Sequence, residues 1–370
     1  MISMVSRREF LLATGAAVAT PLVATACSSP GADRSYRAAV RDTWGQHRRV
    51  ITGAASVQRE LVRYATLAPS SHNTQCWKFA VRPNVVSIVP DLSRRVPVVD
   101  PDDHHLFVSL GCAAENLVQA ALAHGLHALA SVDDVSGTVS VVLESTRAVT
   151  SPLFAAIPSR QCTRGDYDGR PVTNDELRLL ERAGTGAGVR MLLLTDRAAM
   201  ERVLTYVVQG NSAQMADAAF VKELLHWIRF SNAEAVLTRD GLFSRASGNM
   251  VVPRWLGQLV FPYVFTAGHE NDKYAARVRS SAGIAIFVSE ANTKAHWVEA
   301  GRCYERFALQ ATALGIRNAF LNQPVEFAAL RPHFADSLGV PGLRPDLVVR
   351  FGRGLDMPRS LRRPVKDVLV

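Results

Sequence analysis

Two stretches of this 370-residue chain share a pattern that restricts what it can fold into. Gly111–Gly125 and Gly301–Gly315 each run from glycine to glycine over fourteen positions. Within each, apolar residues recur at three- and four-residue spacing, which predicts an amphipathic helix, and the closing glycine supplies its C-terminal stop. A short apolar stretch precedes each, and a strand-like segment follows. A chance match of two Ala-rich helices is one reading. Two copies of one supersecondary unit is the other, and it fits a length greater than one domain usually needs.

The rest of the chain is mixed. Strands are expected at 77–81, 85–89, 139–143, 189–194, 284–288 and 347–351. Helices are expected at 57–67, 174–182, 200–219 and 220–235, beside the two glycine-bounded ones. No steady β-α-β beat links them, so the fold class is α+β rather than a doubly wound sheet. Neither a GxGxxG nor a Walker-type loop is present to cradle a dinucleotide or nucleotide phosphate.

The first 27 residues read as an address. Ser6-Arg7-Arg8-Glu9-Phe10-Leu11 precedes an uncharged stretch from Leu12 to Ala26, and then Cys27. A basic start, an apolar middle and small residues before the cut describe an export signal. The arginine pair resembles a twin-arginine (Tat) signal, and Ala24-Thr25-Ala26-Cys27 resembles a lipoprotein box, with Ala24 a departure from its usual Leu or Val. Residues 1–26 are therefore expected to be a signal and 27–56 a tether. A cell-envelope or extracellular location follows, with membrane anchoring through Cys27. Tat export resembles a route for proteins folded around a cofactor.

The net charge of +9 raises nucleic acid as a partner, but the basic residues lie in short scattered clusters with no aromatic interleaving. Nucleic acid is not expected. Cys76, Cys112, Cys162 and Cys303 share no metal-ligand spacing, and the ten histidines form no HExxH cluster, so no metal is expected. Small buried residues are the favoured reading of these cysteines.

Three segments carry chemistry. Leu67-Ala68-Pro69-Ser70-Ser71-His72-Asn73-Thr74-Gln75-Cys76-Trp77 lies between a helix and a strand. Its serines present hydroxyls, and Asn73 and Gln75 can each donate and accept at the edge of a flat heterocycle. Arg160-Gln161-Cys162-Thr163-Arg164 spaces two guanidinium forks that suit phosphate. Arg362-Arg363-Pro364 adds two more near the C-terminus. Taken singly, each reads equally as a capped loop or a solvated basic face.

Taken together, in this order, they resemble the FMN-dependent nitroreductase family. The first segment resembles its Ala-Pro-Ser-x-x-Asn-x-Gln-Pro-Trp turn, with Cys76 in place of proline. The second resembles its Arg-Arg-Ser/Thr-x-Arg opening, with Cys162 in place of the hydroxyl residue. The third, with the strand before it, resembles its closing phosphate-binding element. The resemblance covers most of residues 57–370 and implies a nitroreductase-like fold, duplicated in one chain, with mixed sheets flanked by helices. It implies FMN held by Ser70, Ser71, Asn73, Gln75, Arg160, Cys162, Arg164, Arg362 and Arg363, with main-chain donors at Leu321 and Asn322 on the flavin ring. The four arginines are expected to converge on one phosphate.

The departures define the arrangement. The first half (57–150) keeps the Pro69–Asn73 turn without an arginine opening. The second (151–370) keeps the arginines, but Ala183–Gly188 replaces its turn. This resembles a fused pseudo-dimer of the two-half Acg-type branch, with one surviving flavin site. Residues 209–280 are an insertion that either packs as core helices or forms a lid over the flavin. The family's chemistry passes a hydride from NAD(P)H to FMN and on to a nitro or quinone acceptor, and no catalytic side chain is assigned. The alternatives are a flavin-sequestering protein with little turnover, and a cofactor-free envelope lipoprotein. A monomer or weak dimer is expected.

Overall fold

The computed structural model describes residues 30–45 and 53–370. After helix α1 (Pro30–Trp44) come α2 (Ala54–Thr66), β1 (Trp77–Arg82), β2 (Val85–Pro90), α3 (His104–Ala123), β3 (Leu126–Val132) and β4 (Val139–Ser145). Then follow α4 (Pro152–Ala156), α5 (Asn174–Gly184), β5 (Val189–Leu194), α6 (Arg197–Ala216), α7 (Ala218–Trp227), β6 (Ile228–Arg229), α8 (Asn232–Thr238) and β7 (Leu242–Phe243). The chain closes with α9 (Arg254–Val264), α10 (Ala267–Arg279), β8 (Gly283–Ser289), α11 (Lys294–Ala313), β9 (Arg317–Phe320), α12 (Gln323–Glu326), α13 (Arg331–Ser337) and β10 (Arg344–Gly352).

Eight of the described strands form two antiparallel four-stranded sheets of one topology, and β6 and β7 pair separately in parallel. The orders of the two larger sheets are β1-β2-β4-β3 and β5-β8-β10-β9. In both, a long helix, α3 or α11, joins the second strand to the third, and the third takes the edge; Gly111 and Gly301, expected to open these helices, lie inside them. Gly125 and Gly315 close these helices at φ of 74° and 70°, the left-handed region that favours glycine. The two helices pack directly on each other, so one apolar cluster spans both sheets, from Trp77 and Phe79 to Phe287, Phe307 and Phe351. His104–Ala123 is long and apolar enough to cross a membrane, but it is mostly buried inside this core.

Burial tracks what covers each sheet. Alternate residues of β3 are exposed, as on a sheet with one solvated face. Every residue of β8 is buried. Ala285 and Phe287 face the shared core, while Ile284, Ile286 and Val288 face a second core built by Val203 and Val207 of α6 and Val278 of α10. The run Gly-Ile-Ala-Ile-Phe-Val-Ser is thus apolar on both faces because the segment between β5 and β8 covers the outer one. That segment begins earlier than residue 209, at the end of β5. The helix expected over 220–235 is two, α7 and α8, separated by a short extended link.

The C-terminal end crosses to the first sheet. Phe79 N–H donates to Val368 O (2.7 Å) and Val370 N–H to Phe79 O (3.0 Å), which sets the C-terminus beside β1. At the other end, the tether reading is corrected for residues 30–44. Helix α1 carries buried Tyr36, Ala39 and Trp44 and docks on α8, Phe243 and Leu361. Its apolar positions recur three and four apart, a period masked by a mostly polar sequence. The export signal and Cys27 lie outside the described residues.

Candidate functional site

The turn between α2 and β1 holds three non-glycine residues in the left-handed region: His72, Asn73 and Gln75, at φ of 48°, 54° and 54°. Such a residue costs about 1–3 kcal/mol unless its surroundings impose it. Here hydrogen bonds impose it. Ser70 Oγ accepts from Gln75 N–H (2.9 Å). Asn73 Nδ2 donates to Gly241 O (3.0 Å) and Leu361 O (3.2 Å), and its Oδ1 accepts from Arg362 Nη1 (2.8 Å). Gln75 Nε2 donates to Arg239 O (2.9 Å), and its Oε1 accepts from Arg363 N–H (2.7 Å). Both amides were expected to meet a heterocycle; the structure instead has them bonded to the protein, knitting the turn to the insertion and the C-terminal tail.

Arg160 and Arg362 converge on the C-terminal end of α2, where unpaired helix carbonyls attract cations. Arg160 Nη2 donates to Leu67 O (2.7 Å), and Arg362 Nε donates to Ala68 O (3.2 Å). Both are buried. Glu305 of α11 lies 3.2 Å from Arg160 Nε, an ion pair without an aligned hydrogen bond, and neither of its oxygens has a hydrogen-bond partner among the described residues. Burial pushes the Glu305 acid up to about 7 against the pull of Arg160 and Arg362. Burial, and then repulsion from Arg160, lowers Arg362 to about 9. Two guanidiniums share one carboxylate, so positive charge is in excess in a buried place. Trp44 of α1 lies under Arg359 and Arg362, at 4.7 and 5.0 Å.

Arg164 stands apart from this pair. It is half-buried and has no hydrogen bond or ion pair among the described residues. Its charge acts on His72 and Tyr274. Burial first, then Arg164 and His105, lowers His72 to about 4, so its imidazole is neutral at pH 7. Ser71 places its hydroxyl 3.5 Å from His72 Nδ1 and donates its N–H to Ser109 Oγ (3.3 Å).

The segment after β9 reaches the same neighbourhood. Leu321 N–H is already bonded to Val348 O (2.8 Å) and cannot serve as a free donor, which corrects one expectation. Asn322 N–H has no partner among the described residues, and its side chain accepts from Val348 N–H (3.0 Å). Gln323 Nε2 donates to Tyr274 Oη of α10 (2.6 Å), leaving Gln323 Oε1 buried without a partner. Gln214 of α6 donates to Glu326 Oε2 (2.7 Å). Burial raises the Glu326 acid, and Glu326 in turn favours the charged form of His105. His105 Nε2 is also buried without a partner. α6 and α10 are therefore bonded directly to Glu326 and Gln323.

The remaining predicted residues separate. Cys162 is half-buried and bridges Asn318 through the backbone, with Thr163 N–H donating to Asn318 O (2.8 Å). Among the described residues the other three cysteines, Cys76, Cys112 and Cys303, are buried, and all four are free thiols. Arg363 does not join Arg160. Its Nη2 donates to Asp367 O (2.7 Å), and it lines a separate pocket of about 320 Å³ with Arg94, Arg239, Asp240 and Lys366. Convergence of four arginines on one point is corrected: Arg362 reaches Ala68 O at the end of α2, whereas Arg363 reaches Gln75 O and Asp367 O. Glu305, His72, His105 and Tyr274 were not singled out in the sequence. Glu305 had a signal there, since it follows Gly301 by the interval at which Glu115 follows Gly111.

No family model matches the chain. Two curated proteins of Mycobacterium tuberculosis are similar over most of its length. One, provisionally named NAD(P)H nitroreductase Rv3131, is 24% identical over 326 residues, covering 85% of this chain and 91% of that protein. The other, provisionally named NAD(P)H nitroreductase acg, is 23% identical over 332 residues, covering 84% and 95%. Among solved structures, the FMN-dependent nitroreductase NfnB of Mycobacterium smegmatis with NADPH aligns at a TM-score of 0.38 and 14% identity, over 58% of this chain and 96% of its own. A nitroreductase of Bacteroides fragilis with bound FMN aligns at 0.36 and 16%, over 58% and 94%. Over most of its length the chain is thus similar in sequence to curated proteins provisionally named nitroreductases.

Proposed function

We propose that this chain is an FMN-binding oxidoreductase of the nitroreductase type, exported and built as a fused pseudo-dimer with one flavin site. The observation that carries this reading is a meeting of distant segments. The Ser70–Gln75 turn, Arg160 and Arg362 come from three parts of the chain and touch at the end of α2. The shared strand order of the two sheets favours the pseudo-dimer. The counterpart of the 67–76 turn, between α5 and β5, is only residues 185–188. One copy of the turn therefore supports one site.

The residues present fit such a cofactor. Excess buried positive charge at Arg160 and Arg362 suits a phosphate, and the unpartnered Arg164 suits the polar edge of the ring. Asn322 N–H and Gln323 Oε1 offer a free donor and a free acceptor nearby. When bound, FMN would take a hydride from a reduced nicotinamide and pass electrons to a nitro or quinone acceptor. The chain's part is to hold and enclose. Tyr274 and Gln214 tie the insertion to residues 323–326 and exclude water from that face.

That same closure favours a second reading, a flavin-sequestering protein with little turnover. Visible absorbance of the purified protein after FMN loading tests both. Rapid bleaching by NADPH with turnover of a nitro compound supports the oxidoreductase. Bleaching by dithionite alone supports sequestration, and protein that stays colourless overturns both.

A further inference from the structure

Helix α9 has its apolar residues on two sides. Gly257 and Phe261 turn inward, where the glycine lets Phe230 approach and Phe261 joins Leu224 in a small core. On the outside, Trp255, Leu259 and Tyr263 follow one another at four-residue spacing, and they are 67%, 62% and 82% exposed. Val264 and, just before the helix, Met250 are exposed too. No residue from Trp255 to Gly268 carries a charge. A soluble chain rarely leaves such a row in water without a partner.

From this face we infer a second binding function: α9 lies in the interface of a phospholipid membrane, with Trp255, Leu259 and Tyr263 inserted among the headgroups. The chemistry favours lipid over a protein groove. Trp and Tyr are amphipathic rings that concentrate at membrane interfaces, and the row is aliphatic between them. An eleven-residue helix is too short to span a bilayer but suits an in-plane position. Arg254, the first residue of α9, is half-exposed, and the chain carries a net charge of +9, which complements anionic lipid.

The place where the chain enters the fold points the same way. Arg245 pairs with Asp33 in the first turn of α1 (3.0 Å), and Arg254 pairs with Glu234 of α8, on which α1 packs. The start of α1 and the start of α9 are therefore both tied by ion pairs to the 234–245 stretch. Immediately upstream of Pro30 lies Cys27, preceded by the uncharged stretch 12–26. A membrane attachment of that segment would bring the α9 row to the same surface.

The test uses the full chain as Cys27→Ser, so that acylation contributes nothing, with vesicles of phosphatidylcholine and phosphatidylglycerol. Co-sedimentation of a Trp255→Ser/Leu259→Ser/Tyr263→Ser variant is expected to fall at least tenfold below its parent, with an unchanged melting temperature. Brominated lipid provides a second readout. Four of the five tryptophans (Trp44, Trp77, Trp227 and Trp297) are buried, so quenching is expected to report Trp255 and to vanish in Trp255→Phe. Equal sedimentation of variant and parent, or quenching that survives Trp255→Phe, would overturn the proposal. So would a vesicle-free dimer that the triple variant abolishes, since the row would then face a second copy.

Discussion

Gly111 and Gly301 meet each other's helices reciprocally. A Cβ on Gly111 would stand 1.9 Å from Val298 O and 3.1 Å from Arg302 N; a Cβ on Gly301 would stand 2.0 Å from Val108 O and 3.1 Å from Cys112 N. Each glycine faces the residue three before and the residue one after its counterpart. Such matched contacts are those of an isologous interface, in which the same patch serves both partners. Here they lie within one chain.

Gly111→Ala is accordingly expected to destabilise by about 3 kcal/mol or more, because backbone rather than a flexible side chain must give way. Gly301→Ala should cost a similar amount. The double variant should cost clearly less than the sum, since one separation of α3 from α11 relieves both clashes. Urea unfolding midpoints of the three variants test this; strict additivity would contradict a shared displacement.

The same glycines explain how much the sequence could reveal. Their equal spacing exposed the paired helices, and the apolar runs of β2, β5 and β8 were legible as strands. The destination of side chains was not legible. Asn73 and Gln75 had the right chemistry for a ligand edge, but hydrogen-bond partners from residues 239, 241, 361 and 363 claimed them, and nothing local foretells contacts so distant in the chain. Arg160 and Arg362 did come together at α2, whereas Arg363 turned away. Helix α1 escaped notice because its few apolar residues are diluted among charges.

Asn73 is therefore expected to matter for folding before it matters for any ligand. Asn73→Ala leaves Gly241 O, Leu361 O and Arg362 Nη1 short of partners, at a cost of about 2–4 kcal/mol. Asn73→Asp restores an acceptor for Arg362 but not the two donors, so it should recover only part. Thermal denaturation of the cofactor-free chain separates the two.

Glu305 sets a pH dependence. Its folded pKa, about 7, lies above the ordinary 4.5, so the folded state holds the proton more tightly. The associated stability is fully present below pH 4.5 and is lost as pH rises through 7. Asp346, pushed to about 7 by burial, adds a parallel loss. Stability should decline between pH 5 and 7.5, and Glu305→Gln should flatten that slope without abolishing it. Glu305→Ala should instead cost about 3–5 kcal/mol, since Arg160 loses its only carboxylate partner among the described residues. A slope unchanged in Glu305→Gln would contradict the assignment.

Arg164 gives the sharpest separation of binding from folding. Because it has no ion pair or hydrogen bond among the described residues, Arg164→Ala should leave the melting temperature of the cofactor-free chain unchanged or raise it. A lone guanidinium kept half-buried is a cost that only a ligand recovers. A charge-assisted hydrogen bond is worth about 1.5–3 kcal/mol, so FMN affinity should fall roughly 10- to 100-fold. Removing its charge should also raise the His72 pKa above its value of about 4, while burial and His105 keep it below the ordinary range. The NMR titration of the His72 ring, followed beside FMN binding by fluorescence, checks both effects in one variant. Unchanged affinity with a shifted His72 would locate Arg164 correctly and remove it from the cofactor site.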